Sequence, residues 1–447
     1  MKRKVLICFM FGFGLFSQDV SGQTDLGNLI NYALEHSREI RKSELQIQEA
    51  NYMRKEAIGY GLPQIEGSAS YSKMMFDKIE IPASAYTAVP SEYAPMLDKL
   101  GNIDKFYSTS AGVQVTQLIY SQSYWLGVQT AKKMQELYSI LKNKSEEELI
   151  AEVANSYYQA GSLMLNLQTV EKTVKNLEEI FRIAQLNYNN DLIKETDVSR
   201  LRVTITNLEV TGQTLQNVIS TQINYLKALA GMPGDSSITI DPASFIPDSG
   251  NKLVNSEFQI ENIPSYQALM IQADIYEQQT KLSKAKYYPT LAAFGNFNYS
   301  SYNISSDIDS WNKITTVGLS LSVPIFSSGV NHAKVNQSLL KQKQLYEDIS
   351  QTKDFLRVDY QNAFSEYQTA RNLLVVQRDN KELAQKVYRQ TMLQYEEGMA
   401  SLADLLNVNS DFLQADNSYN QQVLKCKTSE IKMLKSTGNL MRIVNTK

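Results

Sequence analysis

The side chains that most often carry enzymatic or metal chemistry are scarce in this sequence. Its two histidines, His36 and His332, are too few for a histidine metal cluster, and each is expected at a helix surface or an interface. A Walker-type phosphate loop and a nucleophile elbow are both absent, and Gly59 with Gly61 makes only half of a dinucleotide fingerprint. We therefore predict that the chain is not an enzyme and uses no cofactor or metal.

The first 22 residues have the composition of a secretory signal peptide. Residues 2–4 are basic, residues 5–16 are apolar, and residues 20–22 are small, as at a cleavage site. The apolar run is too short to cross a bilayer as a helix, although an uncleaved membrane anchor is the alternative. Cys8 lies inside this run, so no lipid anchor is expected. Cys426 then remains as a single cysteine, which we expect to be buried in a helix.

Charge and hydropathy restrict the location of the exported chain. The net charge of −3 becomes more negative without the basic leader, which argues against nucleic acid as a partner. No later segment approaches the ~18 apolar residues of a transmembrane helix, so any membrane crossing must use strands. Export without a helical span suits the periplasm or the outer membrane of a Gram-negative cell.

The positions of the prolines predict where long helices form. No proline lies between Pro95 and Pro233 or after Pro324. Each of these stretches has room for a helix of roughly 100 Å followed by a shorter return helix. Stop signals and apolar periodicity predict helices at 25–60, 121–188, 195–229, 265–288, 330–397 and 401–436.

Four short segments alternate apolar and small polar residues, as β-strands do. In one of them, Val317, Leu319 and Leu321 alternate with Gly318 and Ser320. The strands are predicted at 65–72, 111–116, 291–299 and 315–323, with loops at 75–109 and 300–312. Four strands cannot close a barrel in lipid, so we expect identical copies to assemble, with the small polar face toward water. A soluble β-domain on a stalk is the alternative.

The two halves of the chain form an internal duplication. Several landmarks recur at an offset of 206 or 207 residues: Ile119-Tyr120-Ser121 and Ile325-Phe326-Ser327, Tyr188 and Tyr395, Asp197 and Asp404, Gly231 and Gly438. Constant offsets through helix, turn and cap make coincidence improbable. The predicted organisation is a leader at 1–22, a first repeat at 23–231, a linker at 232–264, a second repeat at 265–438 and a tail at 439–447.

The second long helix carries two apolar stripes with a seven-residue period. They are Ile349, Leu356, Ala363 and Ala370, and Tyr346, Tyr360, Tyr367 and Leu374, the second being interrupted by Lys353. Two stripes predict helical neighbours on two sides, as in a ring of helices.

From Asp25 to Gly438 the chain resembles the TolC-like outer-membrane efflux protein family (outer membrane factors). The resemblance rests on the duplication, on the Tyr-Gly-Leu-Pro and Tyr-Tyr-Pro segments at 60–63 and 287–289, and on two helical hairpin tips at 186–198 and 393–405. It implies a mixed α and β membrane protein: a homotrimer whose antiparallel transmembrane β-barrel, four strands per chain, continues into a coiled-coil helical barrel in the periplasm. It also implies efflux of small molecules with an inner-membrane pump of the RND or ABC type, a periplasmic adaptor and contact with outer-membrane lipid.

The same resemblance implies roles for residues at the two tips. The adaptor would dock on the turns, at Asn190, Asp191, Leu192, Gly398 and Met399. Gly398 suits a left-handed backbone position, and Asp191 stands in its place in the first tip. The alternative is that both segments are helix-hairpin turns with a structural role alone.

The resemblance further implies a gate at the periplasmic aperture. Asp404 would line the constriction, where three carboxylates attract cations, and Tyr395 would contact Asp197 to hold a closed state. The sequence departs from the family pattern at Ala400, where an arginine can add a gate bond, and at Asn407, where a second aspartate ring can sit. A weaker and less cation-selective gate is expected. The alternative for Asp197 and Asp404 is a favourable interaction with a helix dipole.

Two other functions remain open from the sequence. One is a type I protein-secretion exit duct, and the other is a periplasmic coiled-coil tether that never enters a membrane. Metal export is disfavoured by the low histidine count.

Overall fold

The computed structural model describes residues 25–75, 77, 80–101, 105–245, 258–303, 311–441 and 443. The predicted leader, residues 246–257 of the predicted linker and most of the predicted tail lie outside these ranges. The α-helices of the described residues are α1 (Leu26–His36), α2 (Arg38–Gly59), α3 (Ala83–Ala88), α4 (Ala94–Gly101), α5 (Gln122–Asn189), α6 (Glu195–Ala230), α7 (Pro264–Ala285), α8 (Val330–Glu396) and α9 (Leu402–Ser436). The strands are β1 (Gln64–Met75), β2 (Lys105–Ser121), β3 (Thr290–Asn303) and β4 (Asn312–Ser322).

The chain divides into two compact units. One unit draws on residues 1–44, 140–267 and 351–447, as far as these are described, and is helical. The other draws on residues 45–139 and 268–350 and contains the sheet. The long helices α5 and α8 contribute residues to both units.

The four strands form one antiparallel sheet in the order β1-β2-β3-β4. Each strand therefore pairs with its neighbours in sequence, and β1 and β4 occupy the two edges. The strands contain 11 to 17 residues. This confirms the prediction of four membrane-length strands per chain.

The strand register gives the sheet one apolar and one polar face. Ile65 pairs with Val115, Val113 with Phe297, and Gly295 with Val317, all on the face that we call the apolar face. The opposite, polar face carries rows such as Glu66, Gln114, Asn296 and Thr316. The alternation predicted separately for each strand is thus continuous across the sheet, because the antiparallel register keeps side chains of one parity together.

Two predictions in the first half were wrong in detail. The helix predicted at 25–60 is divided at Ser37, whose backbone is extended and whose N–H bonds to the carbonyl of Ala33 at 2.8 Å. The Ser37 hydroxyl accepts the N–H of Glu39 at 3.3 Å, so a local side-chain bond replaces a helical one.

The loop predicted at 75–109 is shorter than expected and is partly helical. β2 already begins at Lys105, and α3, α4 and the 3₁₀ turn Ser91–Tyr93 lie within the predicted loop. Pro82 and Pro90 immediately precede helical turns, a position that their fixed φ favours.

The helical unit has a core built mainly by α1, α5 and α9 together with the C-terminal end of α6. Phe245, at the end of a 3₁₀ turn in the predicted linker, is buried and lies against Gly161 of α5, where an added Cβ would stand 1.9 Å from its ring. Glycine at 161 thereby allows the linker to pack directly on the helix.

Candidate functional site

The tips of the two helical hairpins have the same backbone structure. Asp191 and Gly398 both adopt positive φ, 54° and 74°, which confirms the predicted left-handed turns. Leu192 donates its N–H to the Asn187 carbonyl at 2.9 Å. Met399 makes the equivalent bond to Gln394 at 2.7 Å. Each long helix therefore ends in a Schellman-type cap, in which the left-handed position is occupied by Asp191 in the first tip and Gly398 in the second.

The two tips share one hydrophobic cluster. Its buried residues come from four helices: Leu177, Ile180 and Ala184 of α5, Val198, Leu201 and Ile205 of α6, Tyr388 of α8, and Leu402, Leu405 and Phe412 of α9. Tyr188, Ile193 and Tyr395 pack on the cluster while remaining half-buried. The hairpins α5–α6 and α8–α9 are thus held together within a few turns of their tips.

The structure brings Tyr395 and Asp197 near each other, as the predicted gate requires. Burial raises the pKa of the Tyr395 phenol, and the negative charge of Asp197 raises this pKa further. The phenol therefore stays neutral and can donate a hydrogen bond to a carboxylate. Its role as a latch stays a prediction.

Asp404 caps the helix that follows the second tip. Its carboxylate accepts the Ser401 hydroxyl at 2.6 Å and the Ser401 N–H at 3.3 Å, while the Asp404 N–H donates to the Ser401 hydroxyl at 3.1 Å. These bonds form a capping box, so Asp404 has the structural role given as the alternative to the gate. The side chains of Asp404 and Asn407 are nevertheless exposed. Their role in lining the periplasmic aperture stays a prediction.

The turn residues themselves are open to solvent. Leu192 and Met399 are exposed by 71% and 68%, and Asn190, Asp191 and Gly398 are exposed beside them. Large apolar side chains at two equivalent turns form a surface that a partner could cover.

Sequence analysis did not predict a buried polar network that joins α5, α8 and α9. Asp416 of α9 is 2% exposed and binds Lys381 of α8 at 2.6 Å. Asn420 donates to Asp416 at 3.1 Å and to Asn166 of α5 at 2.6 Å. The Lys381 ammonium also lies 4.6 Å from the Tyr419 ring. A partial signal was available, because Asp416 and Asn420 lie four residues apart, between the apolar residues Ala415, Tyr419 and Val423 of the same helix face.

The remaining chemical residues are placed as predicted. His36 stacks on Tyr32 at the end of α1, and His332 bonds to Asn336 on the surface of α8. Cys426 is buried. Within the described residues, no three His, Cys, Asp or Glu side chains gather as a metal site would require, and none of the helices has the length and hydropathy to cross a bilayer.

Comparison with known proteins gives consistent relatives. The outer membrane protein TolC of Salmonella enteritidis is 24% identical over 306 residues, which are 62% of this chain and 59% of the relative. The cation efflux system protein CusC of Escherichia coli O157:H7 is 23% identical over 76% of this chain and 68% of the relative. The first of these alignments thus spans less than two thirds of the relative's length.

A solved structure covers more of the chain. The outer membrane channel CmeC of Campylobacter jejuni superposes with a TM-score of 0.75 at 15% identity, over 93% of this chain and 86% of that chain. This likeness shows the fold, a mostly helical chain with a four-stranded antiparallel sheet.

The model of the family described as outer membrane efflux protein matches residues 29–232 and 259–439. The two matched segments begin and end close to the duplicated halves. The chain is therefore an outer-membrane protein of Gram-negative type with its helical part in the periplasm, and it belongs to the outer membrane efflux protein family.

Proposed function

We propose that three copies of this chain form an outer-membrane channel through which small molecules leave the cell. The observation that carries the proposal is the sheet, which has one apolar face, one polar face and two edge strands, β1 and β4. Open edges in lipid leave backbone groups without hydrogen bonds, so β4 of one copy is expected to pair with β1 of the next. Twelve strands make a barrel wider than the eight-stranded ones that side chains fill.

Exposed aromatic residues near both ends of the sheet support a membrane position for it. Tyr71, Tyr299 and Trp311 are exposed at the end near the loops. At the end near the helices, Tyr60, Tyr287 and Phe326 are exposed. Tyrosine and tryptophan collect at membrane interfaces because one part of the side chain is apolar and another is polar.

The duplicated organisation fits this assembly. Residues 23–231 and 265–438 would each supply two strands and two helical segments to the ring, with 232–264 as an equatorial linker. The chain would work with an inner-membrane pump of the RND or ABC type and a periplasmic adaptor. A type I protein-secretion duct has the same architecture and differs in cargo, which deletion of candidate pumps followed by drug-susceptibility and secretion assays would separate.

The adaptor is expected to bind the two exposed turns. Replacing Leu192 and Met399 with Asp should abolish cross-linking of the adaptor to the tips while the trimer persists, because the apolar contact surface is lost. The control is Leu186→Asp, which changes an exposed leucine about one helical turn before the exposed turn residues 190–192.

The channel itself is tested by fractionation and conductance. We expect the chain in the outer-membrane fraction as a cross-linkable trimer, and the purified trimer should open ion-conducting pores in planar bilayers. A soluble monomer released by osmotic shock would instead support the periplasmic tether.

The latch is tested by removing one hydroxyl. Tyr395→Phe should raise the single-channel conductance, because the phenol can no longer donate to Asp197. Tyr188→Phe, the equivalent change in the first tip, is the matched control and should leave the conductance as in wild type. An unchanged conductance in Tyr395→Phe would exclude the latch without affecting the channel.

A further inference from the structure

The apolar face of the sheet carries a group of lysines near its loop end. Lys73 of β1, Lys105 of β2 and Lys313 of β4 all have the same parity in the register as Val113 and Val317, so they share their face. All three lie toward the ends of the strands that are joined by loops rather than by helices. Lys73 and Lys313 are exposed.

Charges are divided between the two faces by sign. Among the described residues of β1 to β4, the lysines are all on the apolar face, and the one carboxylate, Glu66, is on the polar face. A lysine that only had to reach water would be equally well placed on the polar face. Lys73 and Lys313 lie on a face without a strand carboxylate, which indicates an anionic partner at that depth.

The lysines lie within a belt of aromatic rings. The Lys73 ammonium is 5.8 Å from the centre of the Tyr107 ring, and the Lys313 ammonium is 5.1 Å from that of Phe297. Tyr299, on the same strand as Phe297, contacts Trp311. The rings mark the membrane interface, and lysine stems can lie along them while the ammonium groups reach the headgroups.

We propose that these lysines, chiefly Lys73 and Lys313, bind the phosphate groups of the phosphorylated glycolipid in the outer leaflet of the outer membrane. The inference rests on the proposed function, because the apolar face meets lipid only if the sheet forms part of a barrel. With the helices in the periplasm, the loop end of the sheet lies in the outer leaflet. Trimer closure also places β4 beside β1 of the next copy, so Lys313 and the neighbour's equivalent of Lys73 lie on adjacent strands about 5 Å apart.

The site is therefore completed at the junction between copies. Within one chain, β1 and β4 are three strands apart, about 14 Å across the sheet, which is too far for a single phosphate to bridge. Between copies, lysines from both edges can bind one lipid headgroup. A bound glycolipid would then stabilise each of the three junctions of the trimer.

The test compares lipid binding by the intact trimer in detergent, measured by native mass spectrometry. The probes are lipid A with two phosphates, the same lipid without phosphates, and phosphatidylglycerol. Wild type should retain the bisphosphorylated lipid at about tenfold lower concentration than either other lipid. Lys73→Gln/Lys313→Gln should remove most of this preference. Lys172→Gln/Lys175→Gln, which removes two exposed lysines of α5, is the matched control and should keep it.

Equal retention of the three lipids by wild type, or an unchanged preference in Lys73→Gln/Lys313→Gln, would overturn the proposal. Size-exclusion chromatography establishes that each variant is a trimer before lipid is added. Conductance in bilayers without lipid A separates this inference from the channel. A trimer that conducts but shows no phosphate preference contradicts only the lipid site, whereas wild type that never conducts contradicts the channel.

Discussion

The two halves of the duplication use equivalent helices in opposite environments. In the first half the long helix α5 is the buried one, with eighteen of its 68 residues buried, while in α8 only five of 67 are buried. The return helices show the reverse: seven of 36 residues are buried in α6 and sixteen of 35 in α9. A duplicated sequence pattern therefore determines which elements form, but packing partners determine which of them becomes core.

For the proposed trimer, the difference also predicts where other copies bind. α5 and α9 supply most of the helical core, which leaves α6 and α8 at the outside of the single chain. On α6, Val203 and Val210 are exposed and lie opposite its buried face, and Val218 and Tyr225 are exposed at the flank of that face. Such a stripe at heptad-like spacing is the type of seam that helices of neighbouring copies cover. The long helix is the exposed one in the second half and the return helix is the exposed one in the first half. This fits a ring in which every chain presents one outer helix from each half.

The largest expected effect tests the buried polar network of α9. Asp416→Ala leaves Lys381 and Asn420 without their carboxylate, and loss of one partner of a buried ion pair costs about 3 kcal/mol. Glu209→Ala is the control, because Glu209 occupies the equivalent position of α6 and is exposed. We expect a lower urea midpoint for Asp416→Ala and a midpoint within experimental error of wild type for Glu209→Ala. Equal losses in both would contradict the contrast between the return helices.

The second prediction concerns the exposed stripe of α6. Val210→Arg should weaken trimer formation by at least tenfold, about 1.4 kcal/mol, because a guanidinium would be buried in an apolar seam. The helical content of the monomer should stay unchanged. Gln216→Arg adds the same charge away from the stripe and should still give trimers. Light scattering coupled to size-exclusion chromatography measures both. A fully trimeric Val210→Arg protein would show that the stripe is not an interface.

The third prediction compares the long helices through their pH dependence. Burial raises the pKa of Glu147 in α5 to about 7, with a further rise from Glu148 and an opposing effect of Lys435. The folded pKa exceeds the ordinary value, so this group stabilises the fold most at low pH, and stability is lost as pH rises through about 7. Glu147→Gln should therefore gain about 1 kcal/mol over wild type at pH 8 and little at pH 5.

The matched control is the equivalent acid of the second long helix. Asp354 is exposed, so Asp354→Asn should leave the pH profile of the thermal midpoint unchanged. A pH-independent difference between Glu147→Gln and wild type would show that Glu147 is not the titrating group.

Much of the fold was predictable because the sequence signals are local. Proline-free stretches predicted α5 and α8 to within about two residues, and strand alternation predicted all four strands. Ser37 was missed because a serine can lie within a helix or cap one, and the choice depends on the close approach of Gly231, whose added Cβ would stand 2.4 Å from the His36 carbonyl. That contact joins residues almost 200 positions apart in the chain.

The turns of the candidate site were predictable from the sequence, whereas the buried polar network near them was not. The turns at Asp191 and Gly398 were found because left-handed backbone restricts the residue type locally. The network of Lys381, Asp416 and Asn166 was not found, because its members come from three helices and only tertiary packing makes Asp416 buried while its counterpart Glu209 is exposed. The repeat pattern alone would have assigned both acids the same environment.

The smallest expected effect compares the two tips themselves. Gly398→Ala adds a Cβ to a residue with φ of 74° and should cost about 1 kcal/mol, since a left-handed L-residue is strained even though no atom lies within 4 Å of the new carbon. Asp191→Gly removes the same strain from the first tip and should gain a few tenths of a kcal/mol, less than the full strain because glycine also costs more chain entropy on folding. Thermal unfolding monitored by circular dichroism measures both. Opposite signs at the two positions are the expected result, because both caps have the same backbone and differ in the side chain that occupies the turn. Destabilisation by both changes would mean that the Asp191 side chain makes a contribution to its tip that glycine in the second tip does not need.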